Sequence, residues 1–128
     1  MNESTPTDQL KMRGFYSPAV RAGDFLFVSG QLPMITNDRV EGTITNQTQQ
    51  ALANLRAVLQ SYGQDITSLV QCTIYISDMA LWPEVNAVYA DFFSQVPVPP
   101  ARAMVPVKTM HYGAMIEIQA VSYVGNRT

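Results

Sequence analysis

The sequence is poor in cysteine and histidine. One cysteine, Cys72, occurs among 128 residues, so no disulfide can form within the chain and packing has to hold the fold together. This usage is typical of a reducing compartment, and we expect the protein to be cytoplasmic. The single histidine and the single cysteine are too few for a zinc site of the usual composition. We therefore expect no metal centre.

Basic runs and long apolar runs are absent as well. Charged residues make up 14% of the chain, and the formal net charge at pH 7 is −2. A slightly acidic chain without a basic cluster has little to attract nucleic acid or an anionic membrane, so neither is expected as a partner. The polar residues 1–8 lack the apolar stretch of a secretory signal, and no run approaches the length of a membrane span.

The length and the hydrophobic content predict a single domain. Hydrophobic residues make up 47% of the 128 residues, which is enough for one core and too little for two. Residues 1–12, which are mostly small and polar and include Pro6, are predicted to be a flexible tail. Residues 13–128 are predicted to form the domain.

The first third of the chain has the pattern of a β-hairpin. Short extended runs at 16–21 and 25–29 are separated by Gly23, which can adopt the positive φ of a tight turn. Residues 29–33 are predicted to break the second strand. A loop or a weak third strand is expected at 34–44.

The remaining two thirds predict two helices among further strands. Apolar residues at three- and four-residue spacing predict a helix over 46–62, with Asn46 and Gln49 as its capping pair. A second helix is expected from Pro83 to Phe93, because proline fits a first turn and an apolar stripe follows it. Strands are predicted at 69–76, 102–107 and 114–124.

The predicted order, ββ(β)αβαββ, indicates an α+β domain with a mixed sheet and two helices on one of its faces. In the strand 69–76, alternation divides the side chains between two faces, with Val70, Cys72, Ile74 and Ile76 on one and Leu69, Thr73 and Tyr75 on the other. Both faces are therefore largely apolar, although two helices can cover only one of them. We expect another subunit to bury the second face.

Two charged residues interrupt the last two predicted strands. Arg102 lies in the run 101–107 and Glu117 in the run 116–120, and each run otherwise has the composition of a buried strand. A buried charge is unfavourable unless it is paired or serves a function. The residues alone leave two interpretations open: a functional site or a structural ion pair.

Six segments of the chain resemble the RidA family, also called YjgF, and they occur in the family's own order over roughly residues 13 to 124. The matching segments are 16–17, 27–31, 49–55, 85–93, 100–102 and 117–120. The resemblance implies a chorismate-mutase-like fold of the bacillus type. It also implies a homotrimer with three ligand clefts between its subunits.

The resemblance further implies an enzyme that acts on C=N bonds. Family members of the 2-iminobutanoate and 2-iminopropanoate deaminase type hydrolyse 2-imino and 2-enamino acids to 2-oxo acids and ammonia. Arg102 then corresponds to the residue that binds the substrate carboxylate, since a guanidinium offers two parallel donors. Glu117 corresponds to the residue that orients or deprotonates the attacking water. No cofactor is implied.

Five further residues correspond to the family's ligand cleft. Tyr16 matches a tyrosine that closes over the ligand. Ser29, Gly30 and Gln31 match a loop whose backbone can approach a small molecule, because Gly30 has no side chain. Met104 occupies a position where many members have cysteine.

Three departures from the family's pattern leave the physiological amine open. Phe15, Pro18 and Met104 differ from the usual residues and reshape the predicted pocket wall. A related substrate such as 2-aminomuconate therefore stays an alternative, as does a non-catalytic protein that senses small carboxylates. A ribonuclease or translation inhibitor is disfavoured by the acidic composition. Ser29 has no adjacent base for a hydrolase triad, and Cys72 is expected to be an unreactive buried thiol.

Overall fold

Five β-strands and two α-helices follow one another in the computed structural model, which describes residues 14–36 and 39–125. The predicted tail, residues 1–12, lies outside the described residues, and the domain boundary at residue 13 stays a prediction. The elements are β1 (Ala19–Ala22), β2 (Phe25–Gln31), α1 (Ile44–Ser61), β3 (Leu69–Ile76), α2 (Trp82–Phe92), β4 (Ala101–Pro106) and β5 (Ile116–Tyr123).

The strands form one mixed sheet in the order β1-β2-β5-β3-β4. Neighbouring strands are antiparallel, except that β3 and β4 are parallel and are connected through α2. The predicted α+β class with a mixed sheet is confirmed. The optional third strand at 34–44 was wrong: the described residues there contribute a single bridge between Thr36 and Arg39, outside the sheet. β4 is an edge strand, which accommodates Pro106 at its end.

The hairpin forms as predicted, but its strands have different limits. Gly23 has φ +61° and makes the turn between β1 and β2. β2 continues to Gln31, so the expected break after Ser29 was wrong. The pairing of β2 with β5 shifts between Val28 and Gln31, and this irregularity lets the strand pass through Gly30 without ending.

Helix α1 begins two residues earlier than predicted. Its N-cap is Thr43, whose side chain accepts a hydrogen bond from the Asn46 backbone N–H, while the Asn46 side chain accepts one from the Thr43 N–H. Asn46 is therefore the far partner of the capping box and not its first residue, and the predicted pairing with Gln49 was wrong. Within the described residues, no helix is long and apolar enough to cross a membrane.

Both helices pack on one face of the sheet. Cys72, Ile74 and Ile76 of β3 lie in the core together with side chains from α1 and α2. The predicted alternation fails at the start of this strand, where Leu69 is buried and Val70 is half-buried. The cause is a shift in the pairing of β3 with β5 between Leu69 and Gln71.

The other face of the sheet is apolar and uncovered in the single chain. Val20, Phe25 and Phe27 are 54%, 41% and 50% exposed on the first two strands. Phe27 pairs with Val121 of β5, and Phe25 contacts the ring of Tyr123 at 5.5 Å between centroids. Such a contiguous exposed patch is typical of an interaction surface.

Cys72 lies in the covered core beside helix α2. Its side chain is inaccessible to solvent, and burial raises the pKa of the thiol from about 9.0 to about 11, despite the opposing effect of the Arg102 charge. The thiolate, which is the reactive form, is therefore scarce at neutral pH. The sequence-based interpretation of Cys72 as an unreactive core residue agrees with this environment.

The raised pKa predicts how stability depends on alkaline pH. The folded chain keeps the Cys72 proton up to about pH 11, whereas an unfolded thiol loses it near pH 9. The free energy of unfolding should therefore fall between these values, by up to roughly 3 kcal/mol relative to a Cys72→Ala control. Urea unfolding at several pH values measures the difference. Identical pH dependence of the two proteins would contradict the assignment.

Candidate functional site

Arg102 lies on β4, on the side of the sheet that the helices cover. It is in register with Cys72 of the parallel neighbour β3, and paired residues of adjacent strands point to the same face. The guanidinium Nη1 donates a hydrogen bond of 2.9 Å to Oδ1 of Asn86 on α2. Helix α2 thus holds the half-buried charge from one side.

Two aromatic rings of α2 complete the surroundings of Arg102. Its Cζ lies 4.8 Å from the ring centroid of Tyr89 and 5.8 Å from that of Trp82. Ring faces attract a cation and compensate part of the solvation that it loses on burial. Burial raises the pKa of Tyr89, whose hydroxyl has no well-formed hydrogen bond and faces the weakly bonding Cys72 thiol.

The charge of Arg102 is not neutralised within the described part of the chain. The ion pairs there are Arg39–Glu41 and Arg56–Asp65, and neither involves Arg102. The bond to Asn86 uses Nη1, and no other hydrogen bond of the Arg102 side chain is found among these residues. Nε and Nη2 therefore have no acceptor within the described part of the chain. A structural ion pair with Glu117 does not form in this chain.

Glu117 lies on the opposite face of the sheet. It alternates with the core residues Ile116 and Ile118 along β5, so its side chain points to the uncovered side. It packs against Gly30 of β2, where an added Cβ would be only 2.8 Å from the Glu117 Cδ. A side chain at residue 30 would therefore displace the Glu117 carboxylate from the place it occupies here.

The segment that carries Tyr16 is attached to β2 beside this carboxylate. The Ser29 hydroxyl donates to the Ser17 carbonyl at 2.6 Å, and the Ser29 N–H donates to the Pro18 carbonyl at 3.0 Å. The Tyr16 side chain is 50% exposed. Ser29 is thus a structural tie that fixes the Tyr16 segment next to Gly30.

The structure therefore separates the predicted site residues into two groups. Gly30 packs against Glu117 on the uncovered side, and Ser29 joins the segment that carries Tyr16 to the same part of β2. Gln31 turns its amide to the Ser29 carbonyl at 3.0 Å. Met104 is in register with Ile74, which puts it with Arg102 on the helix-covered side, where it packs against the core.

Sequence reasoning missed the side chains that support both groups. Trp82, Asn86 and Tyr89 surround Arg102. The one sequence feature that could have indicated this is the polar Asn86 among the apolar residues of the second predicted helix. Asn54 of α1 donates to the carbonyls of Leu32 and Met34, at 2.9 and 3.0 Å, and anchors the segment after β2. These hydrogen bonds could not be predicted from the sequence, because Asn54 and Met34 are 20 residues apart and no local pattern relates them.

The described residues contain no cluster of three or more side chains suited to hold a metal ion. The single histidine, His111, is exposed in a short turn before β5, and its ring lies 5.7 Å from that of Tyr112 in a tilted arrangement. His111 is therefore a surface residue.

Comparison with known proteins identifies relatives over most of the chain. The family model described as Endoribonuclease L-PSP matches residues 6–124. A RutC family protein of Pyrococcus horikoshii is 38% identical over 112 residues, which are 86% of this chain and 87% of the relative. The protein DfrA of Myxococcus xanthus is 39% identical over 116 residues, 88% of this chain and 87% of its own.

Solved structures show the same fold. The Rid family protein YyfA of Yersinia pestis is 38% identical, with a TM-score of 0.82 over 87% of this chain and 89% of its own. TdcF of E. coli, solved with bound serine, is 25% identical, with a TM-score of 0.80 over 86% and 88% of the two chains. The fold, the family model and the relatives agree, and the chain belongs to the RidA family, also called YjgF.

Proposed function

We propose that this protein hydrolyses reactive 2-imino and 2-enamino acids to 2-oxo acids and ammonia at clefts between subunits of a homotrimer. The observation that carries the proposal is Arg102, a half-buried guanidinium with an open donor edge and without a carboxylate partner among the described residues. A small carboxylate is the ligand that such a group recognises best. The serine bound to the related TdcF of E. coli also carries a carboxylate.

Glu117 supplies the second function that the reaction needs. An imine is hydrolysed when water adds to the C=N carbon and the resulting tetrahedral adduct expels ammonia, which leaves a carbonyl group. A carboxylate can hold the attacking water, take its proton and return a proton to the departing nitrogen. Glu117 suits this role because it is half-buried against Gly30 and has no hydrogen bond or ion pair within the described residues.

The opposite orientation of the two groups supports a site shared between chains. Arg102 points under α2, whereas Glu117 points to the uncovered face, so one small ligand cannot contact both within one chain. A neighbouring copy that packs on the uncovered face can supply the missing group. The same packing would bury the exposed Phe25 and Phe27, which favours association.

Association through this face is directly testable. Size exclusion with light scattering should report about three times the chain mass of 14.2 kDa. Phe27→Asp puts a charge on the uncovered face and should yield monomers without deaminase activity. Ala57→Asp, which adds the same charge at an exposed position of α1, should remain trimeric. A wild-type monomer at micromolar concentration would contradict both the trimer and the shared site.

Replacing Arg102 with lysine tests the carboxylate contact. Lysine keeps the charge but loses the pair of parallel donors, so kcat/KM for 2-iminobutanoate should fall at least about tenfold, mainly through a higher KM. The imine is generated in the assay by a threonine dehydratase, and ammonia release is measured. Arg56→Lys, at an exposed ion pair, is the matched control. Equal activity of Arg102→Lys and wild type would rule out the contact.

Glu117→Gln separates a catalyst from a sensor. The amide keeps the shape but cannot act as a base, so kcat should fall about 10² to 10⁴-fold while affinity for 2-oxobutanoate stays within a few-fold. Glu41→Gln is the control, because Glu41 is exposed in an ion pair with Arg39. Unchanged turnover would remove Glu117 from the mechanism. A wild-type protein that binds the 2-oxo acid without hydrolysing imines would be a carboxylate sensor.

A further inference from the structure

Three side chains of helix α2 meet the Arg102 guanidinium from one side. Trp82, Asn86 and Tyr89 are spaced by four and three residues and therefore lie on the same face of the helix. The amide of Asn86 contacts Nη1 at 2.9 Å, and the two ring centroids lie 4.8 and 5.8 Å from Cζ. All three are uncharged at neutral pH, so they hold the cation without neutralising it.

We infer that Trp82, Asn86 and Tyr89 are positioning residues, which leave the Nε–Nη2 edge of Arg102 open and thereby make the site bind a ligand carboxylate side-on. This inference rests on the proposed function. Asn86 favours this orientation because its amide oxygen takes one of the two N–H groups of Nη1, whereas Nε and Nη2 keep all their donors, so the side-on edge offers more free donors than the end-on edge.

The chain contains an example of the expected contact. In the exposed pair Arg56–Asp65, Nε donates to Oδ1 at 3.0 Å and Nη2 donates to Oδ2 at 3.3 Å. The carboxylate there occupies the edge that Asn86 leaves open on Arg102. The difference is that Asp65 occupies this edge of Arg56, whereas the corresponding edge of Arg102 has no carboxylate partner among the described residues.

The variant Asn86→Ala removes the oriented acceptor and leaves Arg102 in place. Its Kd for 2-oxobutanoate should rise about tenfold, because a hydrogen bond to a charged group is lost and the guanidinium can rotate. The affinity for the uncharged 2-oxobutanamide should not change, because that ligand has no carboxylate. Equal losses for both ligands, or no loss for either, would overturn the inference.

The variant Asn86→Asp gives a signature that a merely structural residue would not produce. The new carboxylate pairs with Arg102, so Tm should stay at or above the wild-type value while affinity for 2-oxobutanoate falls at least about tenfold. Ala87→Asp adds the same charge to the neighbouring, exposed position of α2 and should leave the affinity unchanged. Parallel behaviour of the two aspartate variants would contradict the inference.

A measurement on the guanidinium itself keeps this test independent of the proposed function. In ¹⁵N spectra, assigned with Arg102→Lys, the Nη groups of Arg102 should be resolved in wild type and merged by rotation in Asn86→Ala. Merged signals in wild type would overturn the positioning role. If the signals are resolved but wild type binds neither 2-oxobutanoate nor an imine, the positioning of Arg102 holds and the proposed function fails.

Discussion

The candidate site depends on a sheet that the chain covers on one face only. Because side chains alternate along a strand, Arg102 turns under the helices and Glu117 turns to the apolar uncovered face. The two groups that imine hydrolysis needs together are therefore separated within one chain. In the proposed trimer, a second copy packs on the uncovered face. This contact would remove Val20, Phe25 and Phe27 from water, and it would also bring the Arg102 of one chain and the Glu117 of another to the same cleft.

Arg102 keeps its positive charge available because the side chains that contact its guanidinium are uncharged. A half-buried guanidinium loses part of its hydration, and a carboxylate partner would restore that stabilisation but would also occupy the donors. Asn86 and Tyr89 compensate the charge through an amide oxygen and a ring face, so the cation remains able to attract an anion. Arg56 on the surface of the same chain shows the opposite case, because the Asp65 carboxylate accepts hydrogen bonds from its Nε and Nη2.

Much of the fold can be predicted from the pattern of apolar and turn residues in the sequence. Periodicity and turn residues predicted both helices and, apart from the optional third strand, the order of helices and strands along the chain; the limits of the strand Leu69–Ile76 were predicted to the residue. The misplaced N-cap of α1 was a local error, whereas two other errors occur where a local feature depends on a partner distant in sequence. Gly30 was expected to break a strand, because the sequence does not reveal that Glu117 packs on it. Asn86 was missed for the same reason: its partner Arg102 is 16 residues away, and only the packing of α2 beside β4 joins them.

Mixing two impaired variants, at a substrate concentration where each alone has little activity, tests the shared site most directly. Arg102→Lys retains Glu117, and Glu117→Gln retains Arg102, so each can supply what the other lacks if the two groups come from different subunits. After unfolding and joint refolding in equal amounts, a cyclic trimer should regain about a quarter of the wild-type imine hydrolysis, because each mixed trimer contains one intact cleft. Activity that stays at the level of the separate variants would contradict the account.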